Sequence, residues 1–211
     1  MIILAPMPRH TDLALPTRGH RKKEKTRRQL VAAGLRVLAD KGEALTVSDV
    51  VAEADVSNGT FYNYFDDRDA LVDALAENLL LTLAATAARE PIADPALRFA
   101  VASSRVLRHA VEDATWGRVV LRLVDLPAVH HNVVAYLRDD LSEGLAQGRF
   151  DTGPTDVTLD QVMGLLVMTI RRIVSGEAHP DAPLHAVERG LRGLGVPERD
   201  AAELAAAALV M

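Results

Sequence analysis

Nine residues, SNGTFYNYF at positions 57–65, concentrate side chains that can recognise a polar partner. They hold four of the eight aromatic residues of a chain that is otherwise rich in Ala, Leu and Val. On a helix, Phe61 and Phe65 share one side because they are four residues apart. The other sides carry only amide and hydroxyl groups: Asn58 and Tyr62 form a second such pair, Thr60 and Tyr64 a third, and Asn63 lies between. The stretch therefore predicts a short helix, buried on its Phe side and polar elsewhere.

These polar groups suit the edges of bases in the DNA major groove. An Asn side chain can form two hydrogen bonds to adenine, and Thr can bond a base or touch the thymine methyl group. Gly59 leaves the helix start bare, so its N–H groups and partial positive charge can approach a phosphate closely. The alternative, in which all four rings belong to the core, would bury a short helix on every side and leave Asn58 and Asn63 without partners. For Tyr64 both placements stay open, since its ring could also turn inward and join the core.

Charge is unevenly distributed along the chain. The net charge is −5, but residues 1–30 carry eight basic and two acidic side chains, so residues 31–211 carry −11. A basic end on an acidic body is expected of a protein that binds a polyanion at one end. Charge alone leaves a second interpretation open, in which these residues are a solvated charge run on a flexible N-terminus.

The elements around this stretch read as helices. A helix over residues 20–41 ends at Gly42, a favoured residue after a helix C-terminus. Thr46, with Asp49 three residues later, predicts the cap of a short helix that ends near residue 54. Ser57 caps the helix over residues 58–64. Two short helices joined by a tight turn form a helix-turn-helix arrangement.

A long helix comes next, capped by Asp67, with Leu71, Leu75, Leu79 and Leu83 along one side. Beyond the prolines at 91 and 95 we predict six more helices, over residues 95–112, 114–125, 128–147, 156–176, 183–194 and 198–210. No segment alternates as a strand does, so the predicted fold class is all-α. The predicted divisions are a disordered arm over 1–19, a DNA-binding domain over 20–68, a connecting helix over 69–90 and a larger helical domain over 91–211.

The segment TRRQLVAAGLRVLADKGEALTVSDVVAEADVSNGTFYNYFDDRDALVDAL resembles the N-terminal domain of the TetR family of transcriptional regulators. The resemblance covers roughly residues 21–80 and keeps residue types, spacing and helix order in register. It implies a homodimer that binds a palindromic operator in double-stranded DNA. Each subunit would place residues 57–65 in the major groove, and the usual role of such a protein is repression.

Position by position, the resemblance implies three groups of DNA-contacting residues. Thr46, Val47 and Ser48 would touch the backbone or a base at the start of the first short helix. Base edges or phosphates would be met by Asn58, Gly59, Thr60, Tyr62 and Asn63. Phosphates would be bound by Lys25, Arg28, Tyr64 and Arg68. Basic residues in a first helical turn oppose the helix dipole, and phosphate contact gives this cluster a purpose.

Two departures from the family pattern bear on affinity. The turn residue that is usually glycine is Asp55 here, and Asp tolerates the left-handed conformation better than most residues. Asp66 and Asp67 flank Arg68 and weaken its field at a phosphate. Neither departure removes the motif.

The larger domain carries no motif of catalysis or of metal binding. It has no HExxH sequence, no glycine-rich phosphate loop and no paired acids at catalytic spacing, and the chain has no cysteine. His109, His130 and His131 lack the spacing of a metal site. We therefore expect no enzyme activity, no catalytic residue, no metal and no cofactor.

By the resemblance, the larger domain would form the dimer interface and hold a small-molecule effector. Residues 156–176 are apolar on more than one side, which indicates burial against more than one partner. The Ala-rich helix over 198–210 is the second candidate for the interface. The candidate ligand-binding residues are Phe99, Trp116, Met163, Leu166, Val167 and Ile170. Few buried polar candidates accompany them, so the expected ligand is apolar.

The remaining expectations concern location and a competing function. No apolar run is long enough to span a membrane, and the first residues lack the layout of a secretory signal, so a cytoplasmic protein without a membrane partner is expected. The competing function keeps DNA binding but gives the larger domain a protein partner instead of a small molecule.

Overall fold

The computed structural model describes residues 18–87 and 92–211. Every helix predicted above is present, and the described residues contain no strand, so the all-α prediction is confirmed. A 3₁₀ turn covers Gly42–Ala44. The helices are α1 (Arg18–Lys41), α2 (Val47–Glu53), α3 (Asn58–Tyr62), α4 (Arg68–Ala87), α5 (Pro95–Glu112), α6 (Ala114–Leu123), α7 (Pro127–Ala146), α8 (Asp156–Val174), α9 (Ala182–Gly193) and α10 (Glu198–Ala208).

Helix α1 packs on α2, which in turn packs on α3. Leu30 and Leu38 are buried in the core that α1 shares with α2 and α3. Gly34 faces α4 so closely that an added Cβ would lie 3.1 Å from a methyl carbon of Leu75. At the end of α1, Gly42 has φ +58°, the left-handed conformation predicted for a glycine after a helix C-terminus.

Helix α4 connects the short helices to the larger part of the molecule, which is formed by α5 to α10. Leu71, Leu75 and Leu79 are buried as predicted, and Leu83 is half-buried. Asp67 caps α4 by accepting a hydrogen bond from the Ala70 N–H at 2.8 Å. Along its length α4 packs on α1, α5, α6 and α7, so one element touches both parts of the molecule.

Helix α5 lies at the centre of the larger part and packs on α4, α6, α7, α8, α9 and α10. Asp94 caps it through the Ala96 N–H and also accepts two hydrogen bonds of 2.8 Å from the Arg149 guanidinium. That guanidinium, more than any other group, holds the pKa of Asp94 below its usual range.

Some predicted boundaries differ from those observed. The arm predicted over 1–19 lies outside the described residues up to residue 17, and α1 begins at Arg18. Helix α8 ends at Val174 and α3 at Tyr62, two residues before their predicted ends. The domain limits remain predictions, and residues 88–91 lie outside the described part.

Candidate nucleic-acid interface and cavity

Two caps fix the ends of the short helices. At the start of α2, the Asp49 N–H donates to the Thr46 hydroxyl and the Thr46 N–H donates to the Asp49 carboxylate, each at 3.2 Å. At the start of α3, the Thr60 N–H donates to the Ser57 hydroxyl at 3.1 Å. These bonds satisfy N–H groups that a helix start leaves free, and they set where each helix begins.

The turn between the helices passes through a left-handed residue. Asp55 has φ +52° and is the sole non-glycine residue with positive φ in the described part of the chain. The Val56 N–H returns to the Val51 carbonyl at 3.0 Å and closes the turn. The Gln29 side chain of α1 donates to the Ala54 carbonyl at 2.6 Å, so α1 also holds the turn in place.

Two ion pairs tie α1 to α2. Lys41 lies 2.5 Å from Asp49, and Arg36 lies 2.5 Å from Glu53. The bond from Lys41, followed by the bond from Thr46, holds the pKa of Asp49 below its usual range. Because both pairs are on the surface, they orient α2 more than they stabilise the fold.

Of the aromatic residues in and just after α3, Phe61, Tyr62 and Phe65 divide as predicted between core and surface. The Phe61 side chain is fully buried and Phe65 is 4% exposed, with ring centroids 5.5 Å apart. Tyr62 is 56% exposed, and its ring packs edge-on against Phe61 at 5.4 Å. The buried pair anchors α3 while Tyr62 projects to solvent.

The predicted reading residues surround Tyr62 on the open surface. Asn58, Gly59 and Asn63 are exposed, and Thr60 is half-buried with its hydroxyl 2.9 Å from that of Ser57. A Cβ added to Gly59 would meet only the Ser57 hydroxyl oxygen, at 3.8 Å. Packing within this chain therefore gives no reason for glycine at position 59. On α2, Val47 is half-buried and packs on the core, whereas Thr46 and Ser48 are exposed.

The placement of Tyr64 corrects the helical pairing expected from the sequence. Helix α3 ends at Tyr62, so Tyr64 is not on a helical face with Thr60. Its ring is half-buried and packs against the core. It also lines an open pocket of about 440 Å³ together with Asn63, Lys22 and Lys23.

Lys22 and Lys23 were not among the predicted contact residues, although they belong to the basic run at the start of the chain. The structure brings them beside Asn63 and Tyr64. Lys25 and Arg28, which were predicted, are exposed on α1. Lys22 and Lys23 therefore lie beside the residues that follow α3, as phosphate binding next to a groove-reading helix requires.

Arg68 is engaged within the protein. Its guanidinium donates to the carbonyls of Leu45 and Glu43, each at 3.0 Å, and to the Asp69 carboxylate at 3.1 Å. Arg68 thus joins the start of α4 to the residues just before α2. Three of its five N–H groups are used by these bonds, so the predicted phosphate contact would rely on the other two.

A cavity of about 510 Å³ lies in the larger part, among α4, α5, α6, α7 and α8. Four of the predicted ligand-binding residues line it, namely Met163, Leu166, Val167 and Ile170. The other two do not. Phe99 is buried against Phe150 and Gly190, and the Trp116 ring lies tilted against His109 with ring centroids 4.3 Å apart.

Several residues that line the cavity were not predicted from the sequence. They are Glu77, Leu79, Leu80, Leu81, Leu83, Ala84, Ala102, Ser103, Val106, Val120, Val124, Val129, Asn132, Val133, Tyr136 and Leu137. The spacing of leucines on α4 predicts a buried stripe. The same spacing does not distinguish leucines beside a cavity from leucines in a solid core.

Across the described residues, no three His, Asp or Glu side chains are placed to hold a metal ion. Within the same residues, no helix is both long and apolar enough to cross a bilayer.

Comparison with known proteins identifies the family. The family model described as "Bacterial regulatory proteins, tetR family" matches residues 30–75. The model described as "Tetracyclin repressor-like, C-terminal domain" matches residues 94–207, more than half of the chain. The chain belongs to the TetR family. It is a TetR-family transcriptional regulator with a DNA-binding helix-turn-helix domain, which confirms the resemblance seen in the sequence.

Similar proteins include a curated regulator and several solved TetR-family structures. The HTH-type transcriptional regulator YvdT of Bacillus subtilis (strain 168) is 42% identical over 53 residues, which cover 25% of this chain and 27% of YvdT. RolR, solved in complex with resorcinol, is 29% identical with a TM-score of 0.60, over 88% of this chain and 95% of RolR.

A gamma-butyrolactone receptor (ArpA-like protein) is 22% identical with a TM-score of 0.69, over 90% of this chain and 98% of the receptor. A TetR family transcription regulator from Marinobacter aquaeolei VT8 is 17% identical with a TM-score of 0.70, over 82% of this chain and 97% of that protein. At this identity, these two likenesses show the fold alone.

Proposed function

We propose that this TetR-family regulator is a homodimeric repressor that binds a palindromic operator and is released by a small, mainly apolar ligand. The observation that carries the proposal is the cavity. Two of the helices around it, α4 and α6, also touch the segment that leads into α2.

The first link runs along α4. Its residues Leu79, Leu83 and Ala84, among others, line the cavity. Arg68 at its start donates to the Glu43 and Leu45 carbonyls. A ligand that moves α4 would therefore displace the residues immediately before the cap Thr46 through these hydrogen bonds.

The second link runs through α6. Val120 and Val124 line the cavity, whereas Arg122 between them lies against the chain at Gly42. A Cβ added to Gly42 would be only 2.8 Å from Cζ of Arg122. Both α4 and α6 thus contact residues 42–45. A ligand can change the orientation of α2 and α3 only if it binds two arrangements of α4 and α6 with unequal affinity.

Operator binding is proposed to occur through α3 and the basic residues beside it. The base-reading set is Asn58, Gly59, Thr60, Tyr62 and Asn63, supported by Thr46, Val47 and Ser48 of α2. The phosphate-binding set is Lys22, Lys23, Lys25, Arg28, Tyr64 and Arg68. The support for the α3 residues is the exposure of Asn58, Gly59, Tyr62 and Asn63, opposite the buried Phe61 ring. The support for the lysines and Arg28 is their exposure on α1.

Dimerisation is proposed to use the exposed side of α8. Val157 is 77% exposed and Met168 is 47% exposed, and Gly164 on the same side has no atom near a Cβ added to it. Val157, Gly164 and Met168 share this open stripe with the exposed Gln161 and Arg171, and the bare glycine lets a second helix approach closely. The Ala-rich helix α10 is the other candidate, with Ala202 and Ala206 exposed.

Small-molecule control also has support from a relative. RolR, at 29% identity, was solved with resorcinol, a small organic molecule. The cavity here, at about 510 Å³, lies within the range of about 300–1,000 Å³ usual for small-molecule sites. It favours a small molecule over a protein as the signal.

A DNA-binding titration tests this function. The protein is titrated against DNA flanking its own gene at moderate salt, and compounds that raise its melting temperature are then added to the complex. We expect a palindromic fragment to bind, and stabilising compounds to release it. Failure to bind any palindromic fragment would contradict the repressor, and stabilising compounds that leave DNA bound would contradict release by ligand.

A further inference from the structure

We propose that the cavity takes a molecule with an apolar body and a head group that donates hydrogen bonds, such as an alcohol or an amine, and that it discriminates against carboxylates. This inference rests on the proposed ligand-responsive function and specifies the chemistry of its ligand.

The walls of the cavity determine the body of the ligand. Sixteen of the twenty lining residues are apolar, and the polar ones are Glu77, Ser103, Asn132 and Tyr136. An ionised group in the interior would lose its hydration without finding a partner of opposite charge. The part of the ligand that enters the cavity is therefore apolar.

The mouth of the cavity lies between α4 and α7, because the exposed lining residues come from these two helices. They are Glu77, Leu81 and Ala84 on α4, and Asn132 and Tyr136 on α7. Three of the four polar lining residues are thus at the mouth. The fourth, Ser103, is 5% exposed and belongs to the interior. The head group of a bound molecule would lie among the side chains at the mouth.

Hydrogen-bond acceptors dominate at this mouth. The Glu77 carboxylate only accepts, and Asn132 uses one amide N–H on the Ala128 carbonyl at 2.8 Å, which leaves its oxygen and its second N–H available. The Tyr136 hydroxyl both donates and accepts. Partial burial of the Tyr136 side chain, which is 47% exposed, followed by the nearby Asp140 carboxylate, raises the pKa of Tyr136, so this hydroxyl stays neutral.

Cations are missing from the described lining of the cavity, which contains no Lys, Arg or His. Arg98 is near enough for its charge to lower the pKa of Tyr136 slightly against the larger raising effects. Its guanidinium is paired with Asp140 and Glu143 and donates to the Ile92 carbonyl. A carboxylate head would therefore face Glu77 without a free cation. An alcohol or ammonium head would instead donate to Glu77 or Asn132.

Three probes of equal chain length separate the head groups: octan-1-ol, octylamine and octanoate. Calorimetric titration of the full chain should show that the alcohol and the amine bind at least about threefold more tightly than octanoate, because a like charge at an exposed mouth has a modest cost. Equal or tighter binding of octanoate overturns the inference. Binding of none of the three also overturns it. In both cases, release of operator DNA by another compound would leave the proposed function standing.

Two variants test the location of the head group. Glu77→Gln should weaken octylamine binding about two- to fivefold and leave octan-1-ol within twofold, because an exposed charge pair contributes little more. Ala84→Phe fills the mouth at an exposed helix position and should weaken both probes at least tenfold, without loss of helicity by circular dichroism. Unchanged octylamine binding by Glu77→Gln, or unchanged binding of both probes by Ala84→Phe, would contradict the placement.

Discussion

Gly59 gives a sharp test of the proposed DNA interface, because stability and DNA binding should move in opposite directions when it is replaced. The residue lies in α3 with ordinary helical backbone, and a Cβ there would meet only the Ser57 hydroxyl oxygen, at 3.8 Å. Alanine in place of glycine in a helix is worth about 0.5–1 kcal/mol, so Gly59→Ala should raise the free energy of unfolding by up to that amount.

The same methyl group would stand between the start of α3 and the duplex. Forcing an extra methyl group into a close-packed contact costs about 1–3 kcal/mol, which corresponds to a roughly 5- to 150-fold loss of operator affinity. The two quantities are measured by urea unfolding and by fluorescence anisotropy with labelled operator DNA. Gly59→Leu extends the series and should bind DNA more weakly still.

The series contains its own control, since both variants face open space in the free protein and should unfold at similar urea concentrations. If Gly59→Ala binds the operator as well as the unchanged protein does, α3 does not approach DNA at this residue. If Gly59→Ala instead lowers the free energy of unfolding, position 59 does not face open space in the free protein.

Three further predictions concern the same domain. Phe65→Ala should destabilise the protein by about 3–5 kcal/mol in urea unfolding. Tyr62→Ala should lower the free energy of unfolding by no more than about 1.5 kcal/mol and should weaken operator binding. Equal losses of stability would refute the division between core and surface. Lys25→Ala should weaken binding to all DNA sequences alike and lower the salt slope by about one, and a change in sequence preference would contradict its phosphate role. Lys41 lowers the pKa of Asp49, so the contribution of Asp49 to stability is present above the ordinary Asp pKa of about 3.9 and is lost as pH falls through the lowered value. Asp49→Asn should therefore flatten the acid limb of a curve of unfolding free energy against pH. An unchanged limb would show that the Lys41–Asp49 pair does not contribute.

The sequence predicted most of the DNA-binding half because local chemistry decides its features. Thr46 and Ser57 cap helices through their own side chains, and Gly42 takes the left-handed conformation that ends α1. The i,i+4 spacing of Phe61 and Phe65 was enough to identify the buried side of α3. None of these inferences needed knowledge of distant contacts.

The end of α3 escaped prediction because it depends on the path of the chain toward α4. The backbone at Asn63 remains near helical values, but regular helix stops at Tyr62 and the chain turns toward the cap Asp67. Tyr64 therefore leaves the helical face assigned to it and packs on the core beside Lys22 and Lys23.

The cavity shows a different limit of sequence patterns. Phe99 lies four residues before Ser103 on α5, and Trp116 lies four residues before Val120 on α6; Ser103 and Val120 line the cavity, but neither ring does. Helical periodicity identifies the side of a helix on which a residue lies. It does not say how far along the axis a cavity extends, because that depends on how neighbouring helices pack.

The central claim, a symmetric dimer that reads DNA through α3, is tested most directly by selecting bound sequences from a random DNA library. Enriched sequences should contain two inverted half-sites with centres about 10 bp apart, one turn of the duplex. Selection with Tyr62→Ala should lose base preferences within each half-site while keeping their spacing. Enrichment of a single asymmetric motif, or of no motif, would contradict the account.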